Sequence, residues 1–182
     1  KDTSQIKILH VSHLRDEHKN ISGILRVCAQ VFASNPNVVL QIVSENSPSY
    51  LHEYIHELGI QNNVQFLGYK NRQELAQVLR EASYLLLFSN YENFPCVIVE
   101  ALASGIPVVS SNVGGVSEHV SEQNGVLVEP KNEIELYDAI LRMNASYIQY
   151  DSNLLHAYAV THFSYKSVGE HMYTVYQEIC KI

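Results

Sequence analysis

The 182-residue sequence has no tryptophan, three cysteines, five prolines and eight glycines, and only 17% of its residues are charged. Each shortage excludes a class of protein. Cys28, Cys96 and Cys180 are odd in number and far apart in the sequence, so neither a disulfide framework nor a cysteine-based metal site is expected. Their positions within apolar stripes read as small buried hydrophobes. Sparse Pro and Gly beside 46% hydrophobic residues exclude a fibrous or disordered chain. No segment reaches the roughly 18 uninterrupted apolar residues of a spanning helix. The opening "KDTSQIKILHVS" lacks a leader's apolar stretch and cleavage site, so a soluble, cytoplasmic chain is expected. Basic residues are also scarce: 12 Lys and Arg face 19 Asp and Glu, a net charge of -7. Nucleic-acid affinity comes mostly from Lys and Arg neutralising phosphates, so a nucleic-acid partner is not expected.

What remains is a globular chain long enough to bury a core unaided. Short β-branched runs recur at 6–12, 38–45, 64–69, 84–89, 106–111 and 125–130. Helical stripes lie between them: Ile21, Ile24, Leu25, Cys28, Val31 and Phe32; Leu51, Ile55 and Leu58 before Gly59; Leu75, Val78 and Leu79; and Ile134, Leu136, Ile140 and Leu141 after the last run. Val168, Met172, Val175, Tyr176 and Ile179 mark a terminal helix. Continuous apolar strands alternating with helices predict one doubly wound, Rossmann-like α/β domain over residues 1–182 with about six parallel strands. Ligands bind such a sheet beyond the carboxyl ends of its strands, which directs attention to loops 13–20, 69–72, 90–95 and 112–118.

The first of these loops, "HLRDEHKN", has no glycine, and no Walker A run occurs anywhere, so the usual backbone cradles for phosphate are missing. It offers His13, Arg15 and Lys19 instead, just before a helix whose N-terminus favours an anion, although a solvated charged loop explains the same residues. "HEYIH" at 52–56 matches a zinc-protease signature, yet its histidines fall about 100° around the helix from the apolar stripe. No third ligand is suggested by spacing, so no metal is expected. Asn20-Ile-Ser22 and Asn144-Ala-Ser146 match glycosylation acceptors that have no meaning without a secretory route.

The stretch "SNYENFPCVIVEALASGIPVVSSNVGG" at 89–115 differs in kind. Pro95 stands where a first helical residue would, so "PCVIVEALAS" is read as a helix whose positive end faces the cleft, ready for a phosphate or diphosphate. Glu92 precedes that end, and Glu100 lies five residues past Pro95, about 7 to 8 Å along the axis. Carboxylates beside a phosphate site repel phosphate and accept bonds from hydroxyls. Hydroxyls on both sides of a diphosphate describe a nucleotide sugar. Without family knowledge the alternative stays open: Glu92 as a surface acid, Glu100 as the partner of a Lys or Arg.

The run "SNYENFPCVIVEALASGIPVVSSNVGGVSEHV", with "FLGYKNRQELAQVLREAS" before it and "NGVLVEPKNEIELYDAI" after it, closely resembles the signature region of the group 1 (family 4) retaining glycosyltransferases. Their Glu-x7-Glu motif falls on Glu92 and Glu100. The resemblance implies the C-terminal, donor-binding half of a GT-B fold, with the N-terminal acceptor domain absent from this chain. It implies that Glu100 holds ribose hydroxyls and that Glu92 supports the transferred sugar at the catalytic centre. Lys19, with Arg15 and His13, meets the diphosphate. The main chain at Tyr69 and Lys70 meets the base, and backbone groups at Asn93, Phe94, Pro95, Cys96 and Val97 meet the sugar and diphosphate.

Departures accompany the match: His13 stands where the family often has arginine, Asn93 and Pro95 where glycine is common, and Pro95 removes one donor N–H. Gly114 and Gly115 match the family's paired glycines and are read as backbone freedom for a tight turn. The implied activity is hexose transfer, with retention, from a nucleoside diphosphate sugar to a glycan or lipid-linked acceptor held by the other domain, in bacterial surface polysaccharide synthesis. No metal or other cofactor is implied, and peripheral membrane association of the full-length protein is left open. The competing expectations are a GT-B nucleotide-sugar epimerase and a non-catalytic α/β binding module.

Overall fold

The computed structural model describes residues 5–46 and 49–180. Residues 1–4, part of the opening segment inspected for a leader, lie outside them. Six strands, β1 (Ile6–Val11), β2 (Val38–Val43), β3 (Val64–Gly68), β4 (Tyr84–Leu87), β5 (Val108–Ser111) and β6 (Gly125–Val128), form one sheet. Every pairing is parallel and the order is β3-β2-β1-β4-β5-β6. This is the doubly wound, Rossmann-like sheet that the alternating pattern predicts. The strands are shorter than their apolar runs; β5, for example, begins only after Pro107, which has no N–H to give a ladder.

Successive strand residues point to opposite faces, and both faces are covered. Ile8, Leu40, Ile42, Leu86 and Phe88 pack with Ile24, Leu25, Cys28 and Val31 of α2 (Ile21–Ser34), Leu51 and Ile55 of α3 (Ser49–Glu57), and Leu136 and Ile140 of α6 (Glu133–Ser146). Leu9, Leu85, Leu87 and Val108 pack with Leu79 of α4 (Arg72–Glu81), Ile98, Ala101 and Leu102 of α5 (Cys96–Ala103), and Leu155 and Ala159 of α7 (Ser152–Phe163). The chain also forms a short α1 (Asp16–Lys19), 3-10 turns at 116–118 and 147–149, and a terminal α8 (Tyr165–Cys180).

Local signals act as their chemistry dictates. Asn71 and Glu74 form a reciprocal capping box on α4. Gly59, at φ +69°, ends α3 with Ile60 N–H donating to Ile55 O (3.2 Å), a Schellman closure. Some expectations change. Ile134 is 79% exposed, and α6 buries Leu136, Ala139, Ile140 and Met143 instead. Pro95 is the N-cap of α5 rather than its first helical residue: its ψ of 120° is extended, and its carbonyl accepts Ile98 N–H (3.0 Å). Helix α7 escapes the periodicity reading because it buries only Leu155 and Ala159. Helix α8 forms as expected, but Val168, Met172, Tyr176 and Ile179 of its stripe are exposed and Val175 is only half-buried.

Candidate functional site

Strand order reverses between β1 and β4, so the loops that follow these strands diverge and leave a crevice at their carboxyl ends. The β1–β4 register holds only Ile8↔Tyr84 and Leu9↔Leu85, against six pairs between β1 and β2. The loop after β1 leads into α1. The loop after β4 leads into α5.

Lys19, at the end of α1, forms an ion pair with Glu92 of the β4 loop, joining residues 73 positions apart. Their side chains are 15% and 10% exposed, which shields the pair from much of the solvent. Ser89 Oγ donates a second bond to the same carboxylate oxygen (2.7 Å). Asn90 fastens the loops further: its N–H donates to His18 O (2.7 Å) and its Nδ2 to Glu17 O (3.0 Å). The alternative reading of Glu92 as a surface acid is thus reversed between the two glutamates. Glu92 is the one that is paired.

The strand-to-helix turn after β5 braces Glu92 from below. Gly114 sits at φ +56°, and a Cβ there would lie 2.1 Å from Glu92 O and 2.5 Å from Asn93 O. Gly115 N–H donates to Asn93 O (2.6 Å). Gly114 is therefore demanded by close backbone approach as well as by its dihedral angle. That contact is more than the turn freedom read from sequence.

Helix α5 starts at this loop with no side-chain cap, which leaves its first N–H groups and dipole end for an anion. The missing N–H of Pro95 falls at the N-cap, outside the helix. Cys96 and Glu100 share the exposed face of α5 at i, i+4 spacing, opposite buried Ile98, Ala101 and Leu102. Among the described residues the Glu100 carboxylate has no hydrogen bond or ion pair. Val97 packs against the apolar layer behind it.

The remaining expected residues lie in the neighbouring loops. His13 and Arg15 are exposed on the β1 loop, with Arg15 at the N-cap of α1. Partial desolvation, then Lys19 and Arg15, lowers the His13 pKa. Both residues line a 760 Å³ cavity that Asn46 and Tyr50 close from the β2 side. Tyr69 (64% exposed) and Lys70 follow β3, one strand further along the same edge. Phe94 turns away from the crevice and stacks on Phe163 (5.5 Å) beside His119 (5.0 Å), so its side chain serves packing.

Two cysteine expectations fail: Cys28 is buried, but Cys96 and Cys180 are exposed because one opens α5 and the other ends the uncovered α8. His52 and His56 line a shallow surface cavity on α3, where the His52 ring lies 4.6 Å from that of Phe66. Among the described residues no group of three His, Cys, Asp or Glu could hold a metal ion. No described helix is long and apolar enough to cross a membrane. Another cavity, of 810 Å³, lies against α7 and includes Asn124, at the amino end of β6. It is remote from the crevice, where the charged groups converge.

Sequence reasoning missed His10, a buried imidazole on β1 whose Nδ1–H donates to Leu86 O (2.9 Å) and whose Nε2 meets Ser12 Oγ (2.8 Å). Its signal was a polar residue in the middle of "IKILHVS".

The family model for glycosyl transferases group 1 matches residues 1–153. The chain is 34% identical over 126 residues to an uncharacterised glycosyltransferase of Methanocaldococcus jannaschii, covering 69% of this chain and 32% of that one. Sucrose-phosphate synthase of Thermosynechococcus elongatus superposes with a TM-score of 0.84 at 24% identity, covering 100% of this chain and 47% of that one. Anabaena HepE, solved in complex with UDP, superposes at 0.83 with 26% identity, covering 94% and 48%. The chain thus spans about a third of that curated relative and about half of these solved structures. It belongs to the group 1 glycosyl transferases.

Proposed function

We propose that this chain is the nucleotide-sugar-binding, C-terminal half of a retaining GT-B glycosyltransferase. The observation that carries the reading is the joint placement of Lys19, Glu92 and the uncapped start of α5 at the β1/β4 crevice. Likeness to HepE, solved with UDP, supports a nucleoside diphosphate as the ligand. In this reading Lys19 and the first N–H groups of α5 neutralise the diphosphate. Arg15 and His13 add positive potential from the adjoining loop. The main chain at Tyr69 and Lys70 contacts the base.

The Glu100 carboxylate, which receives no donor among the described residues, accepts hydrogen bonds from the ribose hydroxyls. Glu92, held at a fixed place by Lys19 and Ser89, takes hydroxyls of the hexose and supports positive charge as it grows at the anomeric carbon. Ser89 and Lys19 leave Glu92 in one orientation, which is what electrostatic support of a transition state requires. A lysine ammonium carries three N–H donors, so Lys19 donates to the diphosphate while it keeps its bond to Glu92. No metal enters this scheme. A glycan or lipid-linked acceptor is held by the other half of the full-length protein, which acts in bacterial surface polysaccharide assembly.

The test is a calorimetric titration with UDP, GDP, ADP and their hexose conjugates, with and without EDTA. The expected result is that one nucleotide binds, EDTA changes nothing and Lys19→Ala abolishes binding. Failure of this chain and of the full-length protein to bind any of them at about 1 mM would overturn the reading.

A further inference from the structure

A buried imidazole stands directly behind the loop that carries Arg15 and Lys19, and nothing in the donor scheme uses it. His10 is 0% exposed on β1, where an apolar side chain would fill the same space at no desolvation cost. Both of its ring nitrogens are occupied. Leu86 O can only accept, so Nδ1 carries the proton; Nε2 is then an acceptor and takes the Ser12 hydroxyl proton. This fixes the Ser12 hydroxyl, whose oxygen receives the N–H of Leu14 (3.1 Å).

Leu14 is the point where the chain turns. It is a non-glycine residue at φ +58°, in the left-handed region, with its side chain 2% exposed. A strained conformation of this kind persists only where its surroundings over-determine it. Here they include the Ser12 bond, the burial of the Leu14 side chain and a bond from Tyr50 Oη to Leu14 O (3.4 Å). From Leu14 the backbone enters α1, with Arg15 as its N-cap and Lys19 at its end, facing Glu92. His10 also bonds from β1 to β4 one residue past their last register pair, Leu9↔Leu85, tying the two strands together where the loops begin. Burial pushes the imidazole pKa down to about 4, so the ring stays neutral and keeps this tautomer at ordinary pH.

We propose that His10, acting through Ser12 and Leu14, is a positioning residue that holds the β1 loop and its Lys19 in the geometry the donor site requires. The proposal rests on the donor-site reading for its functional consequence and on loop order for its structural one. The experiment reads the two separately.

Ser12→Ala removes the relay without emptying the core, and Ser12→Thr restores a hydroxyl. Amide hydrogen exchange and UDP titration are measured on the chain and both variants. Ser12→Ala is expected to raise exchange at residues 14–20 about tenfold, to weaken UDP about tenfold, and to leave exchange in β2 and β5 unchanged. Ser12→Thr should recover both. Unchanged exchange at 14–20 in Ser12→Ala would overturn the proposal, as would wild-type UDP affinity in that variant. If the unaltered chain takes no UDP, the donor reading fails by itself, and the exchange pattern still decides whether His10 and Ser12 hold the loop.

Discussion

Glu92 and Glu100 are the same residue eight positions apart, yet the structure treats them in opposite ways. Glu92 is held by Lys19 and Ser89, and its backbone is pressed against Gly114 and Gly115. Glu100 stands on the exposed face of α5 with no side-chain partner among the described residues. The contrast separates two ways of using a carboxylate. One is fixed before any ligand arrives, which in the proposed scheme suits support of developing charge. The other is left solvated at little cost to the fold, and in the proposed scheme it accepts ligand hydroxyls.

The largest effect should come from breaking the brace on the Glu92 side. In Gly114→Ala the new Cβ would collide with backbone oxygens of Glu92 and Asn93 in a left-handed conformation. No flexible side chain can yield there. A loss of about 3 kcal/mol or more is expected, a fall in Tm of about 10 °C, with UDP binding abolished. Thermal unfolding followed by circular dichroism checks it.

The fixed side also carries a pH dependence, through His10. The pKa of His10 is about 4 in the fold against the ordinary value of 6.5, lowered by burial and by Lys19 and raised by the Leu86 bond and by Glu92. The unfolded chain therefore binds more protons between these values, and stability falls as pH drops from 6.5 through 4. The contribution is about 3 kcal/mol, fully present above pH 6.5. Urea unfolding at pH 7.5, 6 and 5 should show progressive loss, and the His10 ring protons should not titrate above pH 5. A normal titration near 6.5 would contradict the buried, neutral imidazole.

Next in size is the ion pair itself. Its side chains are largely but not fully buried, which puts the loss in Glu92→Gln between the values for surface and buried pairs, about 1 to 2 kcal/mol. A double-mutant cycle with Lys19→Met should return a coupling of about 1 kcal/mol or more. Additive effects would show that the pair contributes little.

How much of this was legible in the sequence follows the range of the interactions. Strand and helix identities rest on local periodicity, so "YLLLFS" followed by "PCVIVEALAS" read correctly as strand, loop and helix. The residues around the crevice were also legible, because loops after strands in a parallel sheet share one end. Contacts were not legible. Lys19 reaches Glu92 across 73 positions and His10 reaches Leu86 across 76, and no local pattern encodes which charged residue meets which. Gly114 read as a turn glycine, while its deeper constraint is the backbone of Glu92 and Asn93 in the loop after β4. Helix α8 shows the reverse limit: its stripe foretold a helix, but periodicity does not say whether a face has a cover.

The smallest effect on the fold should belong to Glu100→Gln, and it tests the comparison most directly. The side chain is exposed and makes no hydrogen bond or ion pair among the described residues, so stability should stay within about 0.5 kcal/mol of the unaltered chain. Affinity should still fall. Replacing a charged acceptor by a neutral one weakens bonds to ribose hydroxyls, and about a tenfold loss of UDP affinity is expected, close to 1.4 kcal/mol. Removing the hydroxyls from the ligand gives the second arm: a dideoxyribose analogue should bind Glu100→Gln and the unaltered chain alike. If the variant binds UDP as tightly as the unaltered chain does, the free carboxylate has no part in the donor site, and its solvation is only that of a surface acid.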